Sequence, residues 1–231
     1  DALNTKLAEA TMTLLKNDKN LLPLKNLAGL KIAEVSIGME EKNTFSDAVL
    51  HHAPMTHFGI EHDAKKKDID SLFSKLKNYN FVILQVNKST LRPDKNYGLS
   101  DQSLKIIDSI SSWKPTVGVF FNNPYVMNAL KWPSRLESII MAYEYTPFTQ
   151  CAAANVIFGA VKINGKLPVS TQYFKLNTGL DLDKVIRTKF VDPNAMGIQK
   201  KNLEIIDSIA NLGIKEKAYP GCQVVAIKDG K

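Results

Sequence analysis

Side chains able to do chemistry gather in three short stretches. Asn87 to Gly98 contains Lys88, Arg92, Asp94 and Tyr97, a second stretch contains Asn122, Asn123 and Tyr125, and a third contains Glu144 and Tyr145. Amide, charged and aromatic groups in this mixture suit a polar small molecule, and they suit a contact with another protein surface equally well. For Asn123 and Tyr125 the Asn-Pro-Tyr setting favours structural roles in a turn and a helix start. Asp94 is the only carboxylate between Asn87 and Gly98. Arg92 and Lys95 beside it favour the ionised form over the protonated form that a general acid needs.

Other residues that could do chemistry are less persuasive. His51, His52, His57 and His62 are all the histidines of the chain. They share neither a helical face nor a zinc-ligand spacing, so they read as ordinary surface histidines, with His57 inside a strand. No residue pattern calls for a metal or cofactor. Ser74 to Lys77 and Ser111 to Lys114 both match Ser-x-x-Lys, in which the lysine can help deprotonate a serine nucleophile. That chemistry needs the serine at a helix start, whereas both matches fall late in expected helices, so they are chance matches. Cys151, in an alanine-rich segment, reads as a buried free thiol. The net charge of +7 is spread over scattered lysines with no interleaved aromatic residues, a pattern that argues against nucleic-acid binding. No apolar run approaches the roughly 20 residues needed to span a bilayer.

The elements that must position these groups alternate in type. Apolar strands are expected at Ile32 to Ile37, Met55 to Phe58, Phe81 to Val86, Thr116 to Phe121 and Ser138 to Tyr143. Helical patterns fall at Asn43 to His51, Lys66 to Asn78, Ser100 to Ser112, Tyr125 to Leu130 and Pro147 to Phe158, with another from Asp1 to Lys16 that places Leu3, Leu7, Ala10, Leu14 and Leu15 on one face. Nearly continuous apolar strands separated by helices predict a parallel sheet covered on both faces. The fold class is therefore α/β, a three-layer α/β/α sandwich with a mostly parallel sheet of about five or six strands, plus a partial second domain. The three chemistry-bearing stretches follow the third, fourth and fifth of these strands, at the carboxyl ends where open sheets meet their ligands.

From Asn177 to Gly197 the periodicity dissolves into Asn, Gly, Asp and Pro, which reads as a linker. Gln199 to Leu212 then predicts an amphipathic helix with Leu203, Ile206 and Ile209 inward. Cys222 to Ile227 predicts a strand, followed by a tight turn at Asp229-Gly230. The expected division is 1–176 for the α/β/α domain, 177–196 for the linker and 197–231 for the opening of another domain. A chain that starts at Asp1 inside a helix and stops after one strand of a hairpin reads as an excerpt of a longer polypeptide.

Ala10-Thr11-Met12-Thr13-Leu14-Leu15-Lys16-Asn17-Asp18 followed by Asn20-Leu21-Leu22-Pro23-Leu24 resembles the entry to the second domain of family 3 glycoside hydrolases. Phe158-Gly159 and Asn164-Gly165-Lys166-Leu167-Pro168-Val169 resemble the signature that closes that domain, Phe174 to Leu180 resembles the segment after it, and Asn123-Pro124-Tyr125 also fits. Pro220 to Lys231 is similar to the first strand of serine β-lactamase-like domains. The resemblance implies a non-catalytic accessory domain between a sugar-cleaving barrel and a serine hydrolase domain of one polypeptide. In family 3 the nucleophilic Asp sits on the barrel, and in glucosidase-like members a catalytic Glu can come from the region matching Asn87 to Gly98. That region has no Glu here, which favours the β-N-acetylhexosaminidase-like subgroup, acting on terminal β-linked sugars such as N-acetylglucosamine. The resemblance also implies export to a bacterial periplasm or cell surface, and makes carbohydrate the small molecule to expect at the strand ends.

The rival reading is a stand-alone flavodoxin-like module for a small ligand, or a pure domain-interaction module. Against a phosphate site, Ser36-Ile37-Gly38-Met39-Glu40-Glu41 offers one glycine and two carboxylates where free backbone donors are needed.

Overall fold

The computed structural model describes residues 2–87, 90 and 92–227. Lys88 and the Asp229-Gly230 turn lie outside the described residues. Two compact units are present, Leu3–Ile186 and Arg187–Lys231.

The first unit is built on one six-stranded sheet. Its strands are β1 (Thr13–Asn17), β2 (Ile32–Ile37), β3 (Met55–Ile60), β4 (Phe81–Val86), β5 (Thr116–Phe120) and β6 (Ser138–Met141), in the order β1-β6-β5-β4-β2-β3. Only β1 runs antiparallel to its neighbour. Strand interiors such as Ile32–Ile37 and Phe81–Val86 are buried at every position, as a sheet covered on both faces requires. One face packs on α2 (Thr44–Leu50) and α5 (Pro147–Phe158) through Phe45, Val49, Ala153 and Phe158. The other packs on α3 (Lys66–Leu76) and α4 (Asp101–Trp113) through Leu72, Leu76, Ile106 and Ile110.

Three expectations are corrected in this unit and two in the second. The opening helix α1 covers only Ala2–Thr11 and is followed by β1. Leu14 belongs to one core and Leu15 to the other. A strand at the sheet edge sends neighbouring residues to opposite faces, which no single helical face can do. Leu3 and Leu7, expected inward, are 67% and 54% exposed. The expected helix at Tyr125 to Leu130 is a 3-10 segment, Pro124–Ala129, closed by bonds such as Val126 N–H to the Asn123 carbonyl. In the second unit α6 (Glu204–Lys215) forms but buries no residue. Ile209 is 65% exposed, because no apolar face within the unit opposes it among the described residues. Residues 222–227 form no strand; a strand needs a partner to take up its backbone groups, and the unit provides none among the described residues. Among the described residues no helix is long and apolar enough to cross a membrane.

Candidate functional site

Parallel register brings the carboxyl ends of five strands level. Ile37 pairs with Ile60 and Val86, Val86 with Phe120, and Phe120 with Met141. The loops that follow therefore share one rim, and the three chemistry-bearing stretches meet there.

Arg92 and Asp94 form an exposed pair in which Nε and one terminal nitrogen donate to the two carboxylate oxygens at 3.3 and 2.8 Å. Both oxygens of Asp94 thus act as acceptors. Asn96 and Tyr97 lie in the left-handed region, at φ 47° and 55°, a conformation that concentrates where a site constrains the backbone. The Tyr97 ring stacks on Tyr125 with centroids 6.2 Å apart. A cleft of about 570 Å³ beside them is lined by Asp63, Lys95, Asn96 and Asp101. Asn123 ties two loops together: its carboxamide accepts from Tyr125 N–H at 3.0 Å and donates to the Thr90 carbonyl at 2.9 Å. Asn122, expected to face the rim, is fully buried and cannot reach a ligand there; the position after the last apolar residue of a strand is still inside the layers. Glu144 is exposed. The Tyr145 ring stands edge-on to Phe121 at 5.6 Å, and its hydroxyl donates to Met39 Sδ. Burial pushes the Tyr145 hydroxyl upward from its usual pKa, with a hydrogen bond to Asn43 opposing.

A second cavity, of about 900 Å³, lies between α1 and the loop after β6. Its walls include Leu7, Ala8, Tyr143, Pro147, Phe148 and Pro168. Tyr143, at φ 63°, donates to or accepts from Thr13 Oγ1 at 2.7 Å, and burial raises its pKa.

A buried polar network was not foreseen. Glu34, on the middle of β2, is wholly buried and accepts from Ser46 Oγ at 2.8 Å, from Gln85 Nε2 at 2.5 Å and from His57 Nδ1 at 2.5 Å. The Gln85 carbonyl oxygen is held in turn by Asn43 Nδ2 at 3.0 Å. Asn43 and Ser46 are also the capping box of α2, so one set of side chains starts the helix and satisfies the buried carboxylate. A charged residue within a strand otherwise reading as fully buried, Ile32-Ala33-Glu34-Val35, was the signal that could have pointed to it.

The histidines are placed individually rather than as a surface set. His57 reaches Glu34, His62 bonds Ser103 Oγ at 2.9 Å and the Asn87 carbonyl at 3.0 Å, and His52 stacks on Phe158 while bonding Asn155 at 3.0 Å. His51 is exposed. Among the described residues no group of three His, Cys, Asp or Glu could hold a metal. Of the two Ser-x-x-Lys matches, Ser74 lies near the end of α3 with Lys77 as its C-cap, and at the other Ser111 donates back to the Asp108 carbonyl and Lys114 to that of Tyr79. Burial raises the Cys151 thiol pKa, so it is held as the thiol. After β2, a side chain at Gly38 would strike His62 at 2.5 Å, and the backbone of Glu40 lies against Gly59. That loop is filled by protein and leaves no phosphate cradle.

The profile described as Glycosyl hydrolase family 3 C-terminal domain matches residues 12–206. Among curated proteins no sequence match is found. Solved structures with similar folds include a family 3 β-N-acetylglucosaminidase from Paenibacillus sp. str. FPU-7, at 16% identity and TM-score 0.56 over 72% of this chain and 31% of that one. A fungal multi-domain family 3 β-N-acetylglucosaminidase matches at 20% identity and TM-score 0.59 over 95% of this chain and 24% of that one. A β-glucosidase from Listeria innocua matches at 16% and 0.56 over 72% and 26%. The chain thus spans about a third or less of the length of these structures.

Proposed function

Because the chain belongs to the glycosyl hydrolase family 3 C-terminal domain family, we propose that it serves as the accessory α/β domain of a longer glycosidase. In this reading it braces a separate sugar-cleaving barrel and contributes rim loops beside the barrel's cleft. Glycoside hydrolysis needs two carboxyl groups, or an equivalent pair, converging on one bond. The observation that carries the proposal is the setting of Asp94, the lone carboxylate of the Asn87 to Gly98 stretch: Arg92 donates to both its oxygens, so the carboxylate is committed to an ion pair on its own loop. The exposed Leu3 and Leu7 of α1, the second of them lining an apolar cavity of about 900 Å³, support docking of another domain on the α1 side.

The longer protein would cleave terminal β-linked sugars, with N-acetylglucosamine favoured by the lack of Glu in the rim loop. Two of the similar folds are those of family 3 β-N-acetylglucosaminidases. Within the same proposal, Pro220 to Lys231 opens a β-lactamase-like serine hydrolase domain, and the protein is exported to a bacterial periplasm or cell surface. The purified 231-residue chain is expected to turn over neither nitrophenyl glycosides nor nitrocefin. Robust, titratable hydrolysis of either would overturn the accessory assignment.

A further inference from the structure

The Glu34–His57 pair does more than neutralise a buried charge. The two residues are partners in the register of β2 and β3, and their side chains retain 0% and 8% exposure. One ring nitrogen of His57 faces the Glu34 carboxylate at 2.5 Å; the other, Nε2, faces the backbone carbonyl of Glu40 at 3.1 Å. Both partners are acceptors. A neutral imidazole has a single N–H and can serve only one of them, whereas the imidazolium serves both. Ser46 Oγ, 3.4 Å from Nδ1, has its hydrogen directed to Glu34 instead.

Glu40 belongs to the loop from Gly38 to Asn43 at the strand-end rim. Three observations show that the loop lies tightly on the sheet edge. A side chain at Gly59 would come within 2.2 Å of the Glu40 carbonyl oxygen, Met39 bridges to Ile60, and Met39 Sδ receives the Tyr145 hydroxyl. A cleft of about 470 Å³ reaches His57 and gives water a route to the ring.

We propose that His57 is a proton-operated clasp. As imidazolium it ties the 38–43 loop to β3; on losing its proton as pH rises it keeps Nδ1–H on Glu34, releases the Glu40 carbonyl and loosens this part of the rim. Nε2 is the nitrogen that gives up the proton, because Nδ1–H lies against a buried carboxylate and Nε2 only against a carbonyl on the solvent side. The surrounding charges set the working range. Glu34 on β2 raises the pKa of His57 above 6.5 by its hydrogen bond, burial opposes it, the Glu40 carbonyl adds to it and Lys42 in the loop opposes it. Glu40 and Glu41 lie in the same loop, Asp47 on α2, and Glu61, Asp63, Lys65, Asp68 and Lys75 on or near α3, most of them lining the cleft. Since the folded-state pKa is raised, the clasp is fully closed below 6.5 and opens as pH climbs through the folded value.

The inference stands independently of the accessory reading and is tested on the 231-residue chain itself. Imidazole nitrogen NMR from pH 5 to 10 should show both His57 nitrogens protonated at the acid end, then loss of the Nε2 proton alone. Over the same range, hydrogen-exchange protection factors at residues 39–42 should fall by roughly tenfold or more, as expected for losing one hydrogen bond to a charged group. Amides of β4 and β5 should not change. His57→Gln should show low, pH-independent protection in the loop; if that variant does not fold, the titration of the unaltered protein decides alone. A His57 already neutral at pH 5, or loop protection that stays flat through its titration, would overturn the clasp.

Discussion

Gly165→Ala is the sharpest test of how the closing segment holds the first unit together. In Asn164-Gly165-Lys166-Leu167-Pro168, Ile163 and Leu167 are both fully buried, one in each core. Between them the chain must cross the junction of α1 and β1 at close range. A Cβ at Gly165 would lie 2.3 Å from the Met12 carbonyl oxygen and 2.9 Å from that of Thr11. The usual carbon-to-oxygen approach is about 3.3 Å, so the added methyl is roughly 1 Å too close to a main chain that cannot rotate away. Forced overpacking costs about 1–3 kcal/mol, and a backbone obstacle puts this case near 3 kcal/mol. For a chain of this size that corresponds to a drop in Tm of roughly 6–12 °C. Thermal melts followed by circular dichroism would read it, with Gly29→Ala as control, since nothing lies within 4 Å of that position. If Gly165→Ala melted within about 1 °C of the parent, the close crossing would not be what fixes this segment.

Two further outcomes follow from exposure and capping. Leu7→Ser should change the stability of this chain by less than about 0.5 kcal/mol in urea titrations, because the side chain is half exposed; a loss of 2 kcal/mol or more would mean that α1 is packed after all. Thr146→Ala removes the acceptor for Thr149 N–H at the start of the largely buried α5. It should cost about 1 kcal/mol by the same measurement, and no loss would show that the remaining bond from Thr149 Oγ1 to the Glu144 carbonyl suffices to start the helix.

Much of this architecture is legible because burial on both faces leaves a strong local imprint. Ile32–Ile37, Phe81–Val86 and Pro147–Phe158 fall where the sequence places them, since uninterrupted apolar runs and a Thr-Pro helix start are short-range signals. The opening segment is misread because Leu14 and Leu15 satisfy a helical spacing as well as a strand. Only the neighbouring strand β6, more than a hundred residues away, decides between the two. Of the rim residues, the meeting of Tyr97 with Tyr125 follows from parallel register. The burial of Asn122 depends on which layer covers it, and no local pattern records that; Glu34 is flagged by a charge inside an apolar strand, but its pairing with His57 depends on the register of β2 with β3.

The residues that carry the family resemblance turn out to be fastenings. Asn17 holds both backbone groups of Leu22, accepting its N–H at 2.8 Å and donating to its carbonyl at 2.9 Å, and so joins the two halves of the opening motif. Leu22 and Leu24 are buried, and Leu24 N–H donates to the Ile157 carbonyl at 2.9 Å, next to the closing Phe158-Gly159. Gly159 ends α5 in the left-handed conformation at φ 72°, and a side chain there would strike Pro23 at 2.7 Å. The opening Leu-Leu-Pro-Leu and the closing Phe158-Gly159 thus pack against each other in the interior. Packing of this kind holds the domain together without using the rim, where Arg92 and Asp94 form their exposed pair. It follows that the family of this chain is readable from its interior, whereas any part in sugar cleavage has to be sought in the rim loops and in the chain that would face them.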